Sequence, residues 1–260
     1  MCELLGVCVE QPVRLRLRWE EFSLHGSCQG GNPDGWGVAY FAHRDALLMR
    51  EPKPAAASAM VKFLANHAPA SRQIISHIRR ATMGGRILEN TQPFIRYLAG
   101  RAHVFAHNGH VADVETPDGS AFLCPTGDTD SERLFLQLLC ALEELWQDGI
   151  PSLAERFSVI ENFARNMRER GATNFLYCDG ETLFAHGHRH TVPGESISSD
   201  PGLYVLERDA GDSTDSSCFG LSCDGEGCQA IIATVPLDDQ NWTPLLQGEL
   251  ACFEFGRRIL

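Results

Sequence analysis

The order of sequence patterns predicts an α+β fold, in which helices are set apart from mainly antiparallel strands. Three observations carry this expectation. Short strand-like runs fill the first half of the chain, two long amphipathic helices follow one another in the middle, and only strand patterns return from Thr173 onward. At 260 residues and 43% hydrophobic, the chain has enough apolar side chain for a full core, and one domain over residues 1–260 is expected.

Residues 2–9 are rich in Leu and Val and are followed by Pro12, which reads as a buried strand beginning at the terminus. Arg14, Arg16 and Arg18 alternate with Leu15 and Leu17, which predicts a second, half-exposed strand. Trp19, Phe22 and Leu24 suggest a short amphipathic turn. Residues 26–37 form a glycine-rich loop ending in Asp34-Gly35-Trp36-Gly37. It lacks the lysine and the following helix of a phosphate loop, so it reads as a tight structural loop whose backbone could line a pocket. Strands are expected at residues 38–41 and 46–50, then a helix capped by Ser58 with Val61, Leu64 and Ala65 on one face. Residues 74–78 make another strand, which delivers Arg79 and Arg80 to its end just before Gly84 and Gly85. An arginine in that place either makes a rim ion pair or forks a carboxylate.

Residues 89–94 read as loop and 102–107 as strand. Asn108-Gly109 then admits two readings: a hairpin turn, or a side-chain amide and a backbone N–H that together hold an oxyanion. Thr129 and Glu132 predict a capping box ahead of the first long helix, along which Leu134, Leu138, Leu142 and Leu145 keep helical spacing. Asp130 stands at its start, where capping alone would explain it. Ser152 and Glu155 predict a second box, for a helix carrying Leu153, Phe157, Ile160, Ala164 and Met167. Strands follow at residues 174–178 and 181–186, joined by Asp179-Gly180, and at 202–207, 229–235 and 249–255. His186, His188 and His190 alternate along the chain and read as an exposed hairpin edge in preference to a metal site.

Composition narrows the function. A formal net charge of -12 opposes nucleic acid binding, which relies on Lys and Arg to neutralise phosphates. No apolar run is long enough to span a bilayer and no secretory signal pattern is present, so a cytoplasmic protein without membrane contact is expected. In that compartment the 10 cysteines should be reduced thiols. Cys218, Cys223 and Cys228 recur every five residues, but there is no CxxC pair and no histidine at ligand spacing, so no metal is expected.

Cys2 stands directly behind Met1. Removal of Met1 would place nucleophile and base on one backbone unit, because an α-amine titrates near 7.7–8.0 and a thiol near 8.5. A terminal threonine is activated by its own amine in the same way. The plainer reading is an early core residue of the first strand.

Six segments occur in a fixed order: Met1-Cys2-Glu3-Leu4-Leu5-Gly6, Asp34-Gly35-Trp36-Gly37, His77-Ile78-Arg79 with Ala81 and Gly84, Glu89-Asn90-Thr91, Ala106-His107-Asn108-Gly109, and Thr129-Asp130-Ser131-Glu132. In these the chain resembles the class II glutamine amidotransferase domain of the N-terminal-nucleophile hydrolase superfamily. With Pro236-Leu237 and Trp242 it resembles the stand-alone bacterial branch of YafJ type. The resemblance implies a four-layer αββα sandwich of two mainly antiparallel sheets flanked by helices. It implies Cys2 as nucleophile with its freed amine as base, Asn108 and Gly109 at the oxyanion, Arg79 on the substrate α-carboxylate and Asp130 on its α-ammonium. Gly35, Trp36, Thr82 and Gln92 would lie near the pocket. No cofactor is implied.

The implied substrate is glutamine or a γ-glutamyl amide. Two uses follow from that: ammonia supplied to a partner enzyme, or cleavage of a γ-glutamyl conjugate, as similar proteins do in ergothioneine synthesis and glutathione breakdown. Relatives often carry His where this chain has Gln92 and Trp or Gln where it has Arg80, and Met83 replaces a more polar residue. These departures bear on selectivity. No synthase or isomerase domain is seen after the sandwich, so ammonia would need a separate acceptor. The alternative is a non-catalytic binding protein that retained the fold.

Overall fold

The first strand, β1 (Glu3–Arg16), runs down the middle of a large antiparallel sheet and brings its first residues to the end where the candidate site lies. The structure is a computed structural model that describes residues 2–16, 33–81, 83–117, 124–191, 198–199, 201–210, 222–223 and 227–260. The expected turn at Trp19, Phe22 and Leu24, most of the glycine-rich loop, Thr82 and Cys218 lie outside the described residues.

The remaining main strands are β2 (Gly35–Ala42), β3 (Asp45–Glu51), β4 (Ala70–Arg79), β5 (Phe94–Leu98), β6 (Arg101–Val111), β7 (Gly171–Cys178), β8 (Leu183–Gly187), β9 (Tyr204–Arg208), β10 (Gln229–Ala233) and β11 (Glu249–Glu254). The first sheet has the order β9-β10-β1-β4-β2-β3, with Thr243–Pro244 added beside β9 and Ser222–Cys223 beside the far end of β1. In the second sheet the order is β11-β8-β7-β6-β5, and Arg257–Arg258 is added beside β11. Every pairing is antiparallel.

Three apolar layers hold the stack together. Leu5, Val7, Trp36, Val38, Tyr40, Ile74 and Ile78 on the outer face of the first sheet pack with Val61 and Leu64 of α1 (Ala59–His67). The inner faces meet through Leu4, Ala39, Ile75, Val104, Ala106, Leu176 and Ile232. On the far side Phe105, Phe175 and Tyr177 pack against α2 (Asp130–Leu142) and α3 (Leu153–Arg168) through Phe135, Leu138 and Phe163. Helix, sheet, sheet and helices therefore follow one another, and the strand period of two sends alternate side chains of each strand to different layers.

Local chemistry explains the helix ends. Ser58 Oγ accepts the N–H groups of Met60 and Val61, both at 3.1 Å, and starts α1. The box at α3 is complete, with Ser152 and Glu155 each capping the other. At α2 only half the expected box forms. Thr129 Oγ1 accepts the Glu132 N–H at 3.2 Å, but the Glu132 carboxylate turns to Arg96 and to the N–H groups of Thr126 and Gly127.

Other expectations fail for definable reasons. The two strands expected on either side of Pro12 are one strand. Its register against β4 shifts between Cys8 and Val13, and the exposed Pro12 falls in that irregular stretch, where a missing N–H is tolerated. Asn108-Gly109 is no hairpin turn: β6 continues through it to Val111, and the two residues pair with Asn174 and Thr173 in β7. His186 and His188 do not form an exposed edge. Both are buried, with His186 stacked on Phe175 and bonded through Nδ1 to Thr173 O at 2.7 Å. Of His190 only the backbone is described.

Burial holds the imidazole pKa of His77 and of His186 down at about 3, and that of His103 at about 4, against an ordinary 6.5. The folded chain therefore binds fewer protons than the unfolded chain below pH 6.5. The stability held by these neutral rings is complete above that pH and is lost as the pH falls toward 4, by up to about 1.4 kcal/mol per pH unit for each ring. Urea unfolding at pH 7.5, 6 and 5 should show a declining unfolding free energy, steeper below pH 6.5. A constant value over this range would contradict the burial of three neutral histidines.

Candidate active site

Four strand ends and one helix start converge where β1 begins. Glu3 pairs with Ile78, so Cys2, one residue earlier, comes beside the end of β4. Thr234 clamps the start of β1: its hydroxyl accepts the Leu4 N–H at 2.8 Å and its own N–H donates to Leu4 O at 3.2 Å. The Cys2 thiol donates to Arg80 O at 3.3 Å and accepts the Arg80 N–H at 3.2 Å. Burial raises the Cys2 pKa, while the Arg80 N–H and the Arg79 charge act in the opposite sense. At neutral pH the group is therefore a thiol, and it needs a base to become a nucleophile.

Asn108 crosses from the second sheet to the first. Its Nδ2 donates to the Cys2 carbonyl at 2.7 Å, and the residue is 2% exposed. Gly109 follows with φ +153°, and a Cβ there would lie 2.0 Å from Ala172 O across the β6–β7 ladder, so only glycine fits. Asn174 fixes this region from β7. Its Nδ2 donates to Asn108 O at 3.1 Å and to Arg189 O at 2.8 Å, and its Oδ1 accepts the His188 N–H at 2.7 Å.

Arg79 ends β4 opposite Gly35 and is 3% exposed. Its guanidinium donates to the carbonyls of Met83 at 2.9 Å, Gly84 at 3.3 Å and Gly85 at 3.1 Å. The same segment is pinned from two other sides. Asp34 accepts the Ala81 N–H at 2.7 Å and pairs with Arg86 at 2.6 Å. Asn90 donates to Gly85 O at 3.2 Å and accepts the Asp128 N–H at 2.8 Å. Asp130 is the first residue of α2, and its Oδ2 accepts the Val111 N–H at 2.9 Å with His110 Nδ1 at 3.3 Å.

Cys2 and Asn108 thus touch, and Arg79 is close enough to act on the thiol's charge. Asp130 is tied to β6 two residues beyond Gly109. The pocket candidates fare differently. Trp36 faces the layer under α1, with its Nε1 on Glu51 at 3.1 Å, because β2 alternates and its neighbours Gly35 and Gly37 take the other face. The Gln92 amide is spent on the His107 backbone, donating at 3.1 Å and accepting at 2.6 Å, so it supports β6. Gly35 packs beneath Thr91, where a Cβ would meet the side chain at 3.2 Å. Thr82 is outside the described residues.

Sequence reading gave no role to Asp34, Asn90, Asn174 or His110. Asp34 and Asn90 stand inside the ordered motifs, which was the available signal; Asn174 had none beyond its strand. Among the described residues no group of three or more His, Cys, Asp or Glu could hold a metal ion, and no helix is long and apolar enough to cross a membrane.

The family model described as class-II glutamine amidotransferases matches residues 1–260. YafJ of Escherichia coli (strain K12), named for a glutamine amidotransferase, is 28% identical over 263 residues, with both chains covered in full. The crystal structure of a predicted glutamine amidotransferase from Pseudomonas aeruginosa has a TM-score of 0.70 at 27% identity, again covering 100% of each chain. The glutamine phosphoribosylpyrophosphate amidotransferase of B. subtilis, at 15% identity, shares the fold with a TM-score of 0.63 over 99% of this chain and 48% of its own.

Gly109→Ala should force β6 from β7 and cost about 3 kcal/mol or more, a Tm drop of roughly 6–12 °C for a chain of this size. Gly85→Ala is the control, since the atom nearest to its Cβ would be 3.9 Å away. Equal Tm values for the two variants would contradict the close approach at Gly109.

Proposed function

Because the chain belongs to the class II glutamine amidotransferases, we propose that it hydrolyses the γ-amide of glutamine or of a γ-glutamyl conjugate through a thioester on Cys2. The observation that supports this best is the Asn108 amide on the Cys2 carbonyl, because it places a neutral donor on the residue that carries the thiol. The raised thiol pKa requires a base. With Met1 attached, the nitrogen of Cys2 is a peptide N–H without basicity; with Met1 removed, it is an amine able to take the thiol proton.

The amine removes the Sγ proton as sulfur attacks the γ-carbonyl carbon, and the carbonyl becomes an oxyanion. Asn108 Nδ2 and the Gly109 N–H would donate to that oxygen. Collapse breaks the C–N bond, and the ammonium form of the base protonates the departing ammonia or amine. Water, deprotonated by the same amine, then attacks the thioester and releases the glutamyl carboxylate and the thiol.

Recognition falls to Arg79 and Asp130. An α-carboxylate reaching Arg79 would replace the neutral carbonyls of residues 83–85 by a charged acceptor, and charge-assisted bonds are about twice as strong as neutral ones. Met83, Ile87 and Leu88 on this segment are exposed, at 43%, 42% and 46%. Read as the rim of the leaving-group end, these apolar side chains would favour a γ-glutamyl amide with a substituent on nitrogen over free glutamine as substrate.

Asn108→Ala should lower kcat by about 10²–10³ per folded molecule, the usual loss of one oxyanion donor. Arg79→Lys should raise KM, because an ammonium cannot reproduce the fork. Parallel kcat/KM measurements on glutamine and on N-substituted γ-glutamyl amides should give the amides values at least as high. Unchanged kcat in Asn108→Ala would remove the oxyanion role, and a marked preference for glutamine would favour the ammonia-supplying use.

A further inference from the structure

We propose that the end of the sandwich opposite Cys2 carries a second binding site, which takes the phosphoryl group of a small molecule. At the catalytic end β1, β4 and β6 carry Cys2, Arg79 and Asn108. At their other end Pro12, residues 70–73 and Arg101 border a cleft of about 560 Å³, closed by the turn after β2 and by the turn between β7 and β8. That volume lies within the ~300–1,000 Å³ of small-molecule sites. Arg44, Arg72 and Arg101 all line it, together with His43, and Glu181 is the carboxylate among the described lining residues. A chain of formal net charge -12 thus holds a local excess of positive charge, which is how an acidic protein retains an anionic ligand.

The carboxylates nearby do not cancel these cations. Glu181 pairs with Arg101 Nη2, but Arg101 is 8% exposed and its Nε has no partner among the described residues. One carboxylate on one nitrogen leaves a buried guanidinium short of acceptors for its five donors. Arg44 and Arg72 make no ion pair among the described residues. Arg72 lies over the Phe255 ring, 5.6 Å from its centre, a contact that places the side chain without neutralising it. Asp45, beside Arg44, accepts the Tyr97 hydroxyl at 2.5 Å and the Ala46 N–H at 2.8 Å. Asp179, beside Gly180, is buried on Arg156 at 2.6 Å.

The walls are fixed before a ligand enters. The Ala102 N–H donates to Arg44 O at 2.7 Å, Ser71 Oγ to Phe41 O at 2.8 Å, and Gln73 Nε2 to Glu181 O at 2.8 Å. These bonds join the turn after β2, the start of β4, the start of β6 and the turn after β7, so binding spends little on ordering the backbone. The guanidinium count selects the ligand. A carboxylate has two oxygens and is filled by one fork, whereas a terminal phosphoryl group brings three oxygens and close to two negative charges, enough for several forks. Pro12, Phe41 and Ala70 offer apolar wall to the rest of such a molecule.

The test is calorimetric titration of the full chain with inorganic pyrophosphate, in metal-free buffer at constant ionic strength. One saturable site per chain is expected. Arg44→Glu and Arg72→Glu should each weaken it by about tenfold or more, the loss of one charge-assisted hydrogen bond. Arg165→Glu changes the net charge equally but lies on α3, outside the cleft, and should leave the affinity within about twofold. Arg79→Lys, at the catalytic end, should leave it unchanged as well. Absence of a saturable site overturns the proposal, and so does an equal loss in all three charge reversals, which marks attraction to the general field. Binding that survives Arg44→Glu and Arg72→Glu but is lost in Arg79→Lys places the anion at the catalytic end and overturns it too.

Discussion

The hydrogen bond from Asn108 to the Cys2 carbonyl is the constraint on which the site depends, because it joins the two sheets at the end where they would otherwise only face one another. Below it the inner layer is mostly apolar and non-directional, a contact dominated by Leu, Ile, Val and Ala that fixes separation better than register. The polar bridge fixes register. It is itself held from both sides, by Thr234 on the β1 side and by Asn174 on the β7 side. Both asparagines are buried, so a shift that broke the bridge would leave polar groups unpaired, at about 1–3 kcal/mol each.

In a chain with formal net charge -12, the arginines of this region are each held by a local acceptor. Arg79 sits in backbone carbonyls, Arg86 on Asp34, Arg96 on Glu132, and Arg50 on Thr91 O at 2.7 Å. Burial alone would raise the Glu132 pKa, but the N–H groups of Thr126 and Gly127 and the Arg96 charge bring it below the ordinary value. The carboxylate thus stays charged and anchors the segment ahead of α2. Among the described residues, the polar anchors near Cys2 come from Asn108 and Asn174 within the second sheet, from Thr234 beyond the end of β10, and from Arg79 at the end of β4.

Much of this was legible in the sequence. Periodicity identified the helices and most strands, and the order of the polar motifs brought Cys2, Arg79, Asn108 and Asp130 into one reading before any geometry was available. What was not legible follows from tertiary context. Pro12 looked like a terminator because a bulge in β1 cannot be read from β1 alone. Asn108-Gly109 looked like a turn because the reason for its glycine, Ala172 O at 2.0 Å from a Cβ, lies on another strand. His186 at the end of β8 and His188 just beyond it looked exposed because nothing local marks a face that Phe175 and the helices cover. Trp36 and Gln92 were drawn toward the pocket by motif position, but strand alternation and the His107 backbone claimed them.

The central claim is that Cys2 acts as a terminal nucleophile, and intact mass spectrometry tests it most directly. The purified protein is weighed before and after exposure to an electrophilic glutamine analogue. A terminal nucleophile requires the mass of the chain without Met1, then one added adduct that maps to Cys2 and is absent from Cys2→Ala. A chain that hydrolyses glutamine with Met1 still attached, or an adduct on any other cysteine, would contradict it.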